Sequence, residues 1–90
     1  IVNRGQITGA ASAEGIVLLG DGNTIVNAGT ISVGASGVGL DVTTLSTTNA
    51  IINTGTISVG AGGIGISLSD RGTVFNSGTI NAATGVAAIE

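Results

Sequence analysis

Hydrophobic and polar positions alternate in short runs along this chain of 90 residues. Ile16 and Leu18 share one phase, as do Val38, Leu40 and Val42, then Ile64, Ile66 and Leu68, with Val86 and Ala88 continuing the series. A period of two predicts strands. A second pattern lies over the first. The phrase "IVNAGTIS" at 25–32 returns as "IVNRGQIT" at 1–8, "IINTGTIS" at 51–58 and "VFNSGTIN" at 74–81. Its asparagines, Asn3, Asn27, Asn53 and Asn76, follow one another in steps of 24, 26 and 23. A partner phrase opens with Gly15, Gly37, Gly63 and Gly85, in steps of 22, 26 and 22. Each unit is therefore two linked motifs at a period of about 24 residues, and internal repeats of this length point to stacked architectures.

One unit reads as three short strands joined by tight turns, Asn23–Asn27, Thr30–Val33 and Val38–Val42. The fold class this predicts is all-β: a right-handed parallel β-helix, a solenoid of about four coils of 22–26 residues with three short strands per coil. Coils stacked in parallel put like residues above one another at about 4.8 Å. The expected core is then Ile7, Ile31, Ile57 and Ile80 from the first phrase, and Ile16, Leu18, Val38, Leu40, Ile64 and Ile66 from the second. Ile1, Ile25, Ile51 and Val74 form a further apolar column. Asn3, Asn27, Asn53 and Asn76 are placed to form a structural ladder in which each amide bonds its neighbour. The Asn-x-Gly step is turn chemistry, with glycine expected to make the bend. Residues Arg4, Ala28, Thr54 and Ser77, between Asn and Gly, are expected to face solvent.

Rival repeats fit less well. Leucine-rich repeats need an L-x-x-L-x-L frame, and the five leucines here do not make one. No six-residue period is visible. A β-sandwich shares the spacing of turn signals but gives no reason for side chains to match from unit to unit.

Composition narrows the function more than the fold. The net charge is −3, with Arg4 and Arg71 the only cations and no histidine or cysteine. Nucleic-acid binding needs clustered Lys and Arg, so that class is excluded, as is a polybasic membrane contact. No apolar run approaches the roughly 18–20 residues of a membrane span; membrane insertion of this segment is not expected. Disulfides and thiolate metal sites are excluded by the lack of cysteine.

Three segments look like sites. "GAGGIG" at 60–65 fits a dinucleotide loop only if a helix follows, and a strand is expected there instead. "GVGLD" at 37–41 matches part of a calcium β-roll repeat, which needs tandem copies; by the spacing of the opening glycines, Asp41 has Leu19, Ser67 and Ile89 as its equivalents. Asp21 and Asp70 each precede a phrase asparagine by six residues, with Thr47 between them. Two coils would separate them by about 10 Å, at the loose end of the carboxylate spacing of inverting glycosidases. No Lys, His or Tyr accompanies them, so solvated turn residues are the expectation. Glu14 and Arg4 read as surface charges. No catalytic residue, cofactor or metal is expected.

The I-x-N-x-G-x-I phrase followed by a G-[IV]-x-[LI] phrase resembles the passenger domains of bacterial autotransporters, the type V secretion proteins. "IVNAGTI" and "IINTGTI" are its best copies, and the resemblance covers essentially the whole chain. It implies a secreted or bacterial surface-displayed β-helix, often an adhesin stalk, with host-surface or cell–cell adhesion partners. Residues 1–90 would then be a single β-helix segment excised from a longer repeat protein. The leading expectation is a non-catalytic stalk or spacer. A carbohydrate-binding or carbohydrate-active β-helix is the first alternative. A self-associating fibre segment that stacks end to end is the second, because exposed strand edges invite pairing.

Overall fold

The structure, a computed structural model, describes residues 1–43, 49–68, 72–82 and 87–89. Among the described residues, twelve strands follow one another in four coils. The first holds β1 (Val2–Asn3), β2 (Gln6–Thr8) and β3 (Glu14–Leu18). The second holds β4 (Thr24–Asn27), β5 (Thr30–Val33) and β6 (Val38–Val42), and the third β7 (Ala50–Asn53), β8 (Thr56–Val59) and β9 (Ile64–Leu68). The fourth holds β10 (Thr73–Asn76), β11 (Thr79–Ala82) and β12 (Ala87–Ile89). Equivalent strands pair in parallel into three four-stranded sheets, β1-β4-β7-β10, β2-β5-β8-β11 and β3-β6-β9-β12. The chain is thus an all-β parallel solenoid with three strands per coil. Four rungs span three strand spacings, about 14 Å, and the principal extents are 30 × 24 × 19 Å. The result is a short prism rather than a long rod.

Register follows the repeat. Asn3 lies on Asn27, Asn27 on Asn53 and Asn53 on Asn76. Ile7, Ile31, Ile57 and Ile80 form a second column. Alternation then sends one phase of each strand inward. Ile25, Ile31, Leu40, Ile51, Ile57 and Ile66 are fully buried, and Ile16, Leu18 and Val42 complete the central cluster. Each contributes about 1.5–3 kcal/mol of transfer free energy. Ile7 and Ile80 are only partly buried against it, because each lies in a terminal rung with a neighbour on one side. Val33 and Val59 are also buried, under the corner between the second and third sheets.

The third sheet departs from simple alternation, and the expected register changes with it. Ile16 pairs with Leu40 and Leu40 with Ile66; Glu14, not Ile16, lies against Val38. The aligned glycines are therefore Gly15, Gly39 and Gly65, not Gly15, Gly37 and Gly63; Gly85 lies outside the described residues. In β6 and β9 two consecutive positions are buried, Gly39–Leu40 and Gly65–Ile66. A Cβ on Gly15 would strike the Gly39 carbonyl oxygen and Ile31 Cγ2, and one on Gly39 the Gly65 carbonyl oxygen and Ile57 Cγ2. The strand turns a corner at this glycine column. Val38 and Ile64 precede the corner, so they fall out of phase with Leu40 and Ile66. They are half-buried on the outer side and are not members of the core cluster.

The corner between the second and third sheets repeats from coil to coil. Ala13 N donates to Ala10 O at 3.2 Å, Gly37 N to Gly34 O at 3.2 Å and Gly63 N to Gly60 O at 3.1 Å. The third residue of each turn is left-handed: Ser12 at φ 62°, Ser36 at 58° and Gly62 at 75°. Glycine suits that conformation best. The bends are also tied to each other, with Ser12 N donating to Ala35 O and Ser36 N to Ala61 O, both at 2.8 Å.

Ile57 stands at the centre of this packing, fully buried and against the Gly39 corner. Ile57→Ala is expected to cost about 2–5 kcal/mol, read as a lower urea midpoint. Ile57→Asp, which buries a charge without a partner, is expected to abolish cooperative unfolding; a folded Ile57→Asp protein would contradict the stacked-core description.

Candidate functional site

Among the described residues, a continuous array of hydrogen-bonded polar side chains is internal. Asn27 and Asn53 are fully buried and Asn3 nearly so. Asn3 Nδ2 donates to Asn27 Oδ1 at 2.8 Å, Asn27 Nδ2 to Asn53 Oδ1 at 2.8 Å, and Asn53 Nδ2 to Asn76 Oδ1 at 2.9 Å. Every amide donates in the same direction along the stack. The same Nδ2 groups also reach the carbonyls opening the next coil's second strand: Asn3 to Thr30 O, Asn27 to Thr56 O and Asn53 to Thr79 O, at 3.2–3.3 Å. Gly5 N returns a bond to Asn3 Oδ1 at 3.2 Å. The backbone closes the corner, because Ala28 N and Gly29 N both donate to Asn3 O, and Thr54 N and Gly55 N to Asn27 O. These contacts satisfy groups that would otherwise be buried without partners.

The glycine of this corner serves closeness rather than a left-handed bend. Among the described residues the glycines with positive φ are Gly22 and Gly62, so Gly29 does not make its bend that way. Instead, a Cβ on Gly29 would overlap the Gly5 carbonyl oxygen, one on Gly55 that of Gly29, and one on Gly78 that of Gly55. The residues between Asn and Gly, namely Arg4, Ala28, Thr54 and Ser77, are all exposed.

A second asparagine contact was not among the expected sites. Asn49 is 2% exposed. Its Nδ2 donates to Gly20 O at 2.9 Å, and its Oδ1 accepts from Asn23 N at 2.9 Å. It pins the corner that enters the first sheet. The signal was present in "NTIVN" and "NAIIN", which place Asn23 and Asn49 at the same step of 26 as Asn27 and Asn53.

The three outer faces differ. The first sheet presents Val2, Val26, Ile52 and Phe75 in one outward column, with Val2 58% and Phe75 62% exposed. The second presents hydroxyl and amide groups: Gln6, Thr30, Thr56 and Thr79 in one column, and Thr8, Ser32, Ser58 and Asn81 in the next. The third carries the acids. Asp41 pairs with Val17 and Ser67, which replaces the expected Leu19 and Ile89, since Ile89 lies on Ile66. Glu14 lies on Val38, three residues before Asp41 on the neighbouring strand. A side-chain hydrogen bond to Asp41, then desolvation, then the Asp41 charge hold the Glu14 carboxyl above its ordinary value. Glu14 is exposed, as expected of a surface charge, with Asp41 as its acidic neighbour.

The remaining sequence candidates separate. "GAGGIG" forms the left-handed corner at Gly62 and then enters β9, so no helix N-terminus faces it. Asp41 in "GVGLD" has one acidic neighbour, and no group of three metal-ligating side chains occurs among the described residues. Asp21 lies in the turn before β4, its carbonyl accepting from Asn23 Nδ2 at 3.1 Å. Asp70 and Thr47 lie outside the described residues, as does Arg71. Comparison with protein-family models, with curated proteins and with solved structures finds no match for this chain. The likeness to autotransporter passengers stands on the repeat phrase alone.

Two outcomes follow from this geometry. Asn27→Ala removes a rung from the middle of the ladder and strands buried amide groups on Asn3 and Asn53, for an expected loss on the order of 3 kcal/mol. Asn76→Ala removes an exposed terminal member and is expected to cost less than about 1 kcal/mol; equal losses in chemical denaturation would refute the ladder's contribution. The acidic pair predicts a pH effect of defined sign. Glu14 binds its proton more tightly in the folded chain than in the unfolded one. Its contribution to stability therefore rises as pH falls through the folded value, and is complete below the ordinary glutamate value of about 4.3. Exposure to solvent keeps the effect small. Glu14→Gln is expected to raise the urea midpoint at neutral pH and to flatten its rise toward mild acid; identical pH profiles for both proteins would remove the pair from the account.

Proposed function

We propose that this chain is a structural spacer, a non-catalytic stalk segment of a secreted or surface-displayed bacterial protein of the autotransporter-passenger kind. The observation that carries this reading is the continuity of columns through all four rungs. Each repeated residue is committed to holding one coil on the next: the isoleucines to the core, the asparagines to the ladder, the glycines to the close corners. A sequence whose repeated residues all serve stacking is one selected for an extendable, stiff support. The adhesin role and the bacterial surface come from the likeness of the repeat phrase to passenger domains, and a host surface or a neighbouring cell is the partner class that goes with it.

A support built from equivalent coils should tolerate a change of length in whole coils. Deleting residues 28–53 joins Asn27 to Thr54 at equivalent positions and removes one rung, since Asn27 and Asn53 are register partners. The shortened chain is expected to keep strand circular dichroism and cooperative unfolding at reduced stability. The full chain, probed on a glycan array and on host cells, is expected to bind neither by itself. Specific glycan binding lost in the Asp21→Ala, Asp70→Ala double variant would replace the spacer reading with carbohydrate recognition.

A further inference from the structure

The outer face of the first sheet is an apolar ridge with charge sorted to its two edges. We infer that it is a docking surface for a second copy of this chain, the copies meeting first sheet to first sheet about a two-fold axis parallel to the stack. This goes beyond the spacer reading and does not rest on it.

Parallel sheets are ordinarily covered on both faces, and the core covers this one from the inside only. Its central outward column is Val2, Val26, Ile52 and Phe75. The matching outward positions of the third sheet are mixed, Val17, Asp41 and Ser67, and those of the second sheet are hydroxyls and amides. The columns on either side of the apolar one are small: Thr24, Ala50 and Thr73 before it, and the exposed Ala28, Thr54 and Ser77 after it. The column therefore stands above its surroundings. Val26 and Ile52 belong to the second and third rungs, so the ridge is a property of the face and not of either end of the stack.

Charge identifies what covers the ridge. Arg4 is the one cationic side chain among the described residues, and it is exposed where the chain leaves the first sheet. The acids lie across the ridge from it. Asp21, also exposed, is in the turn by which the chain enters the first sheet, and Glu14 and Asp41 are on the third sheet that leads into that turn. One edge of the face is positive and the other negative. A two-fold rotation about an axis along the stack keeps rungs level and reverses strand direction. It lays the Arg4 edge of each copy on the Asp21 edge of the other, twice by symmetry. Val26 then meets Val26, Ile52 meets Ile52 and Phe75 meets Phe75, while Ala28 faces Thr24 and Thr54 faces Ala50. Packing the same faces with the stacks running in opposite directions brings Arg4 to Ser77 instead of an acid, so charge selects the first arrangement.

Area sets the strength. The three outward columns span about 13 Å along the strands, and the four rungs about 14 Å across them. A standard interface covers about 800 Å² on each partner, so this face supports a weak, reversible association, and the two-fold closes it at the dimer.

The test is sedimentation equilibrium over a concentration series up to millimolar, with urea unfolding of each protein as the control for folding. Wild type is expected to approach a plateau at dimer mass. Phe75→Thr and Ile52→Thr, each with a cooperative unfolding transition, are expected to stay at monomer mass over the same range. Arg4→Asp and Asp21→Arg should each weaken the dimer on the order of tenfold, and the double variant carrying both should recover it to near wild type. Wild type that remains monomeric throughout overturns the inference. So does a mass that climbs past the dimer, or a dimer that Phe75→Thr and Ile52→Thr leave intact, since either places the contact on another surface. A double variant no stronger than the single ones overturns the two-fold arrangement.

Discussion

Each residue of a parallel solenoid lies about 4.8 Å from its own counterpart in the next coil, and this constraint decides which side chains the chain can use. A residue type survives in a column only if it tolerates a copy of itself at strand spacing. Isoleucine does, because successive β-branched side chains nest in one rotamer and bury one another. Asparagine does, because its amide offers a donor on one side and an acceptor on the other, so a stack of them satisfies itself. Aspartate in the same place would bring carboxylate against carboxylate with nothing to donate. The scarcity of charge, 8% of the residues, follows from the same rule. Where two acids do meet across adjacent rungs, at Glu14 and Asp41, the folded chain holds a proton more tightly than solvent would dictate.

Close approach of backbones is the second consequence. At several corners the main chains of adjacent rungs come so near that no Cβ fits without a shift: the Gly29–Gly55–Gly78 column of the asparagine phrase, the Gly15–Gly39 column of the third sheet, and the Gly34–Gly60 and Gly37–Gly63 pairs that flank the turn between the second and third sheets. The glycines there are fixed by their neighbours above and below, not by an unusual torsion of their own. Ser12, Ser36 and Gly62 are the contrasting positions, where torsion is the demand and two serines meet it. Glycine in this chain thus has two distinct physical origins, which the letters alone do not separate.

That ambiguity explains which parts of the fold could be read from sequence. Thr30–Val33 and Val38–Val42 were legible as strands because apolar alternation and turn residues agree there. Stacking of the first phrase was legible because its four asparagines have one plausible alignment. The second phrase offered two glycine alignments. The steps of 22 and 26 between Gly15, Gly37 and Gly63 conflicted with the asparagine steps of 24 and 26, whereas Gly15, Gly39 and Gly65 match them. Matching steps was the signal that would have set the register, moved Val38 and Ile64 to the outer side, and paired Asp41 with Val17. The influence of Asp41 on Glu14 is not legible in the sequence, since the two acids are 27 positions apart and come onto neighbouring strands only in the fold. Asn49 is hard to read from sequence for a different reason: its column has two asparagines and then Gly72, so it does not repeat through the chain.

The cost of this architecture is length: about 24 residues raise the stack by one strand spacing, so four coils span only about 14 Å between first and last rungs. A single helix of the same 90 residues would extend roughly 135 Å. What the solenoid gains is a cross-section held on three sides by continuous hydrogen-bonded sheets and filled by a central core, so that bending requires separating rungs along a whole sheet. It also divides the sequence into two populations. Inward positions are bound to their columns and cannot change singly without breaking a stack. Outward positions, including the exposed residue of each asparagine corner and the apolar, hydroxyl-bearing and acidic faces, answer only to solvent or to a partner. Variation among Arg4, Ala28, Thr54 and Ser77 within otherwise similar phrases is what that division permits, and surface recognition can change at such positions while the stack beneath remains fixed.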